Sequence, residues 1–376
     1  MKDADVPELQ ISMNAGWLDP FGGVETSTLH DCLALSARGH RISLMYGQDG
    51  AQRPAFEAAG VALEGPFNFN FRPRHAVHDL ASFLPSARSA RRRQSDVIWL
   101  NRVEHLIWGV TTSRLSGAPL VAQLHGLPAY HRLSQLSRGV AHFLAVSEFV
   151  RERYIERGVA PERISRLYNA IPPGQYPVGG SPERMAARHM LDLPADRPIV
   201  LCYGRLGVPK GALTLLEAWP LVQAQQPDAY LVLVDSTSGD PDRTVMTALE
   251  GMPPGSVRRF PMTTDVLPFL HACDVVAFPT WLPETFGRVV LEGMSTGRPV
   301  VASRVGALPE VLSGAMARFL VEPRSAEALA AGLLDVLDWR DAEPDLGTRC
   351  TRWVEERFPF SAHVDGLEAT FAQFRR

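Results

Sequence analysis

The sequence predicts an α/β chain made of two halves, each a parallel, doubly wound sheet. From residue 9 onward, short apolar runs alternate with longer amphipathic segments, which is the rhythm of βαβ units. The rhythm pauses around residues 170–190, beginning A-I-P-P-G-Q-Y-P-V-G-G-S, where proline and glycine mark a connection. It resumes at R-P-I-V-L-C-Y, residues 197–203, and a chain of 376 residues has room for two or three domains of roughly 150 residues.

Strands are expected in the first half at 9–13 (L-Q-I-S-M), 41–46, 96–101, 119–124, 142–146 and 164–168. Helices fit between them at 24–38, ending at Gly39, and at about 103–115 and 148–157. The second half has strands at 197–203, 229–234, 256–260, 274–278, 299–302 and 318–321, with helical stretches between them. These patterns define a first domain at 1–172, a linker at 173–190 and a second domain at 191–359. The last helix, 360–376, carries the apolar stripe Val364, Leu367, Phe371 and Phe374, which needs a surface to cover, and it is expected to cross back to the first domain. Two α/β halves around a linker imply a cleft, and ligands in such sheets collect beyond the carboxyl ends of the strands.

Composition narrows the function. A net charge of -3, with 45% hydrophobic and 21% charged residues, argues against non-specific nucleic-acid binding. The start, M-K-D-A-D-V-P-E-L-Q, has no apolar core of a signal peptide, and no run reaches the ~20 apolar residues of a spanning helix, so a cytoplasmic protein is expected. Cys32, Cys202, Cys273 and Cys350 are far apart and read as reduced core residues, with no metal site. Of the 38 lysines and arginines, only Lys2 and Lys210 are lysine, which makes Lys210 conspicuous.

Lys210 lies in G-R-L-G-V-P-K-G, residues 204–211, between a strand and a helix. Such a turn offers backbone amides and a helix dipole to an anion, and Arg205 and Lys210 add positive charge suited to phosphate oxygens. The bland alternative is a helix start with solvated basic residues, which its dipole disfavours. Gly211 after the lysine rules out the P-loop pattern. Further on, E-T-F-G-R-V-V-L-E at 284–292 begins and ends with glutamate. Glu284 could simply favour a helix start while Glu292 is solvated. Alternatively, both accept from one polyhydroxylated ligand, with the amides of Thr285, Phe286 and Gly287 at the helix start donating to it. Along an unbroken helix Glu292 would lie about 12 Å beyond Glu284, which suits a long ligand such as a nucleotide-sugar.

Together, G-R-x-x-x-x-K-G and the run E-T-F-G-R-V-V-L-E-G-M-S-T-G-R-P-V-V-A-S-R-V-G-A-L-P-E at 284–310 resemble the retaining glycosyltransferases of family 4, which have the GT-B fold. The glycine loop P-F-G-G-V-E at 20–25, L-H-G at 124–126, V-S-E at 146–148 and Y-N-A-I-P at 168–172 extend the resemblance over nearly the whole chain, in order. It implies two Rossmann-like domains, an acceptor-binding first and a nucleotide-sugar-binding second. It further implies a hexosyltransferase-type enzyme, acting in carbohydrate or natural-product biosynthesis, with these roles: Arg205 and Lys210 on the donor diphosphate, Glu284 with the amides of Phe286 and Gly287 on the transferred sugar, and Glu292 on ribose. Gly22 and Gly23 would let the backbone approach the donor, and His125 would contact the sugar near the reacting centre. A UDP-sugar is expected ahead of a GDP-sugar, with no cofactor and no required metal. The acceptor hydroxyl, on a sugar, natural product or cell-envelope glycan, is expected near 65–80 and 126–135.

Some positions depart from the family. The loop L-V-L-V-D-S-T-S-G-D at 231–240 lacks the usual G-x-G, which leaves the base open. Asp240-Pro241-Asp242 mimics a metal-binding D-x-D and reads instead as a turn and helix cap. Gly306-Ala307 replaces a common Gly-Gly, and Gly293 replaces alanine, where close packing would explain it. The basic run 86–93, S-A-R-S-A-R-R-R, reads as an exposed helix end in preference to a membrane contact. The rival functions are a nucleotide-sugar epimerase of the same fold, which would need no acceptor, and a non-catalytic sugar-nucleotide binding protein.

Overall fold

The computed structural model describes residues 7–20, 22–130, 133–235 and 242–376. The chain forms two compact units: the first runs to Ala170 and takes in Phe360–Arg376, and the second is Ile171–Pro359. In the first unit seven parallel strands, β1 (Gln10–Trp17), β2 (Arg41–Gln48), β3 (Ala62–Glu64), β4 (Val97–Leu100), β5 (Leu120–Leu124), β6 (His142–Ala145) and β7 (Ile164–Arg166), lie in the order β3-β2-β1-β4-β5-β6-β7. In the second, β8 (Ile199–Gly204), β9 (Tyr230–Asp235), β10 (Val257–Phe260), β11 (Val275–Phe278), β12 (Val300–Ser303) and β13 (Leu320–Val321) lie in the order β10-β9-β8-β11-β12-β13. Central strands such as V-I-W-L and V-V-A-F are buried on both faces, so they are apolar throughout and do not alternate. In each sheet the order reverses once, between β1 and β4 and between β8 and β11, and such a reversal opens a crevice at the carboxyl ends of the strands.

The terminal helix Phe360–Gln373 packs on the first sheet. Val364, Leu367 and Phe371 join a buried cluster with Leu9, Ile11 and Trp99, and the rings of Trp99 and Phe371 lie 5.2 Å apart. Polar contacts fix its rotation. His363 Nδ1 lies 2.6 Å from the Tyr168 carbonyl oxygen and its Nε2 3.0 Å from Asp31 Oδ1, while Arg38 pairs with Asp365 and Glu368.

The connection expected at 173–190 is shorter than its proline content implies. Ser181–Met190 is a helix of the second unit, packed on the helix Leu267–Ala272. Its start has Pro182 in the first turn, and the Glu183 carboxylate accepts from the Gly180 amide, a capping arrangement that the surrounding prolines obscure. From it Arg188 reaches Asp274, which also binds Arg184, Arg340 and the Ile199 amide. Burial would raise this carboxyl, but the guanidiniums hold it below its ordinary range. Strand β3, only three residues long, has no period to read. The basic run at 86–93 falls on the helix Leu84–Arg92. Phe83 beside it is fully buried and Arg93 pairs with Glu64, so only Arg88, Arg91 and Arg92 face solvent. All four cysteines are buried free thiols. Among the described residues no helix is long and apolar enough to cross a membrane.

Close packing does explain Gly293. A Cβ there would lie 2.7 Å from Val300 Cγ2 and 3.2 Å from Val276 Cγ2, and valine χ1 is too stiff to yield. Gly293→Ala is expected to lower stability by about 1–3 kcal/mol, because overpacking outweighs the ~1 kcal/mol gained in helix propensity. Urea unfolding reads this directly, and a raised midpoint would contradict the packing.

Candidate functional site

In the second unit the chain leaves β8 through Gly204, passes Arg205, and makes a single 3-10 turn, Val208–Lys210, before Gly211 and the helix Ala212–Gln225. Lys210 therefore ends a separate turn and does not belong to the helix start itself. Gly211 has φ +80, and any Cβ on it would overlap the carbonyl oxygen of Pro279, in the loop after β11. Glycine thus allows the two loops across the sheet reversal to interlock. The Trp281 amide donates to the Pro209 carbonyl (3.0 Å), and the Trp281 indole donates to Thr214 Oγ1 (2.8 Å).

Glu284 stands on the second of these loops. A Cβ on Gly306 would overlap its backbone, and the Ala307 amide donates to its carbonyl (2.8 Å), so two contacts fix its backbone. Its carboxylate meets Lys210 Nζ in an ion pair, with Thr280 Oγ1 at 3.4 Å. The sequence assigns these two groups to neighbouring parts of one ligand; the fold brings them into direct contact. Arg205 is exposed and has no partner among the described residues.

The helix expected to begin at Thr285 starts later, at Arg288, with Gly287 as its cap at φ +91. Thr285 and Phe286 belong to the loop, and the Phe286 ring is buried edge-on against Phe358 (5.6 Å), which anchors the loop to the core. Glu292 consequently sits in the second turn of a short helix. It is only 8% exposed, accepting from the Tyr203 hydroxyl (2.7 Å) and from Arg288 Nε (2.8 Å). Burial, then the Glu292 charge, raises the Tyr203 phenol, and the same two causes raise that of nearby Tyr176. Tyr176 also hydrogen-bonds the Glu292 carboxylate, which, when ionised, has about four acceptor sites, so a further donor can still be received. Sequence reasoning missed Tyr203, Tyr176 and Arg288. Of these, only Arg288 had a signal, its four-residue spacing from Glu292.

In the first unit, Gly22 caps and Gly23 begins the helix Gly23–Ala37. Gly22 is extended, so its backbone conformation does not itself demand glycine. Phe21 of the same motif lies outside the described residues, as do His131 and Arg132 of the 126–135 segment and the loop 236–241. Asp242 is a helix cap, as expected: it accepts from the Thr244 amide (3.0 Å), and its other oxygen accepts from the Val208 amide (3.3 Å).

His125 follows β5, with Nε2 2.8 Å from Asn101 Oδ1. A chain of hydrogen bonds settles its tautomer. The Thr28 hydroxyl donates to the Val24 carbonyl (2.8 Å), so it accepts from Asn101 Nδ2, so Asn101 Oδ1 is an acceptor and His125 Nε2 carries the proton. Burial pushes this ring down to about 4, and its Nδ1 therefore bears a lone pair at neutral pH. His105, after β4, is likewise pushed down to about 4, chiefly by burial. Asn14 Oδ1 accepts from the Asn101 amide (3.3 Å), so Asn14 Nδ2 donates to His105 Nδ1 (2.8 Å), and the His105 proton sits on Nε2. Beside it Arg102 pairs with Glu25 and Glu104 and stacks on Trp17 at 5.0 Å.

Comparison with known proteins agrees with this arrangement. A model described as Glycosyltransferase Family 4 matches residues 21–175, and one described as Glycosyl transferases group 1 matches 197–338. A GDP-mannose-dependent alpha-(1-6)-phosphatidylinositol monomannoside mannosyltransferase of Mycobacterium tuberculosis is 27% identical over 301 residues, covering 75% of this chain and 76% of the relative. A D-inositol 3-phosphate glycosyltransferase of an Arthrobacter species is 27% identical over 356 residues, covering 87% and 84%. Among solved structures, Anabaena HepE in complex with UDP and glucose superposes with a TM-score of 0.83 at 23% identity, over 97% of this chain and 100% of that one.

Two measurements check the histidine chain. Asn101→Asp sets a carboxylate against His125 Nε2–H and should raise the ring by at least about one pH unit. An NMR titration of the His125 Cε1 proton that stays near 4 would contradict the assigned bond. Below pH 6.5 the unfolded chain protonates His105 and His125, whereas the folded chain does so only near 4. Unfolding free energy should therefore fall as pH drops from 6.5 to 4, by on the order of 1–3 kcal/mol per ring. His125→Gln should flatten that profile.

Proposed function

The chain belongs to glycosyltransferase family 4 and has the GT-B fold, and on that premise we propose that it moves a sugar from a nucleoside diphosphate to an acceptor hydroxyl with retained anomeric configuration. The observation that supports the donor site most is the Lys210–Glu284 pair, held at the reversal of the second sheet by the contacts of Gly211 and Gly306. An ammonium and a carboxylate side by side match the two ends of the bond to be broken, a diphosphate oxygen and a sugar bearing hydroxyls.

In this reading Lys210 and Arg205 stabilise the departing diphosphate, and Glu284 accepts from sugar hydroxyls while the amides of Phe286 and Gly287 donate to the sugar. Glu292, oriented by Tyr203 and Arg288, receives the ribose diol. Of the first unit's residues, His125 meets the sugar; with its proton on Nε2 donated to Asn101 Oδ1, its Nδ1 is the accepting nitrogen. Gly22 and Gly23 form the backbone approach to the donor. The acceptor oxygen bonds to the anomeric carbon on the face from which the diphosphate departs, and the acceptor proton passes to a donor phosphate oxygen. Stabilising the leaving group and positioning the reactants supply the rate. Glu284, already neutralised by Lys210, is not the nucleophile. These cations supply the charge a metal would, so no metal is required. The donor is a nucleotide-sugar, a UDP-sugar ahead of a GDP-sugar.

A thermal-shift series with UDP, GDP, CDP, dTDP and their common sugars tests the donor site. One nucleotide at 100-fold its Kd should add about 2.7 kcal/mol of stability, and Glu292→Ala should reduce that shift. No shift with any of them in a folded protein would sink the assignment. Lys210→Ala should lower kcat by about 10²–10³, the scale of losing one charge-stabilising group. Activity should survive EDTA; a loss restored by Mg²⁺ would overturn the metal-free mechanism. Sugar conversion without any acceptor would point to the epimerase.

A further inference from the structure

A cavity of about 430 Å³ opens in the first unit where β1 and β2 end. Gly16 and Trp17 close β1 and Gly47 and Gln48 close β2; the segment 66–70 and His105 complete the wall. Gly47 keeps this floor tight, since a Cβ there would lie 2.8 Å from the Gly16 carbonyl oxygen. The wall has two kinds of surface. Trp17, 37% exposed, and Phe67 offer aromatic faces. Gln48 and Asn70 offer exposed side-chain amides, whereas the Asn68 amide is spent on the Asn70 carbonyl and Ser82. His105 brings the Nε2–H that its bond to Asn14 leaves as donor.

No lining residue carries a formal charge at neutral pH, His105 included. Arg102 passes 3.5 Å from where a Gly16 Cβ would stand, but its guanidinium is held by Glu25 and Glu104. Among the described residues that line the cavity, none is a guanidinium or ammonium that could pair with a phosphate. A sugar ring needs what the wall has: amide donors and acceptors for hydroxyls and an aromatic face for its C–H surface.

We propose that this cavity is the acceptor site and that it selects an uncharged polyhydroxylated acceptor, a sugar or glycoside ring, over its phosphorylated counterpart. The inference rests on the transferase reading above and adds the acceptor's class to it. Gln48 and Trp17 are the specificity-determining residues, one by amide hydrogen bonds and the other by stacking.

Matched probes test it: methyl glucoside against glucose 6-phosphate, and myo-inositol against D-inositol 3-phosphate. Each is examined by saturation-transfer NMR and, with the stabilising nucleotide-sugar, by mass spectrometry of product. The neutral member of a pair should be favoured at least about tenfold. Trp17→Ala should weaken its NMR signal and raise its KM about fivefold or more, and Gln48→Arg should narrow the preference. Preference for the phosphorylated member overturns the proposal. So does an acceptor signal that neither variant changes, or the absence of any signal from the neutral members. The thermal shift of the wild type with nucleotides is read separately, so a failed donor site shows as a missing nucleotide shift while the NMR arm still judges the cavity. Both variants alter exposed side chains at strand ends, and their circular dichroism confirms folding.

Discussion

The second unit depends on one steric fact: residue 211 can have no side chain. Its Cα lies so close to the Pro279 carbonyl that any Cβ would overlap the oxygen, and its φ of +80 disfavours other residues as well. From that contact follow the backbone bond between Trp281 and Pro209 and the meeting of Lys210 with Glu284. Gly306 does the same against the backbone of Glu284. The charged pair is thus positioned by backbone fit. This matters because the pair is largely shielded from water, and the cost of desolvating both charges offsets much of their attraction, so backbone fit and not the pair itself organises the loops.

The two units handle polar chemistry differently. The second concentrates charge at its sheet reversal, with Arg205, Lys210, Glu284, Arg288 and Glu292 in or beside the crevice. The first keeps His105 and His125 neutral by burial and orders their protons through Asn14, Asn101 and Thr28. Breaking a bond to a diphosphate develops negative charge, and fixed cations serve that step. Receiving a hydroxyl compound calls for donors and acceptors of known direction, which neutral rings and amides provide.

Much of this architecture could be read from residues alone, for physical reasons. Parallel strands buried on both faces must be continuous apolar runs, which made the central strands legible; the partly exposed β7 and β10 were placed by the βαβ rhythm, and the three-residue β3 was not found. The helix at 181–190 was hidden because its capping proline sits among loop prolines. The stretch E-T-F-G looks like a first helical turn, but burial of Phe286 and the left-handed Gly287 delay the helix to Arg288. Lys210 was singled out by its turn and its rarity, Glu284 and Glu292 by their pairing across a helix start, and His125 only by the family resemblance. Asn101 was not, because its part depends on Thr28, 73 residues away in the chain, and no local pattern encodes that distance.

The terminal helix ties the two ends of the chain together. Phe371 packs on Trp99, and His363 is bonded to Asp31 across 332 positions, so the second unit is an insertion within the first. On the ribosome, a chain usually completes its domains in the order in which they emerge. Here the order inverts: the second unit's residues are all available before the first can bury its core. Loss of Phe360–Gln373 would therefore uncover the core of the first unit, from which it is separated in the chain by the whole of the second.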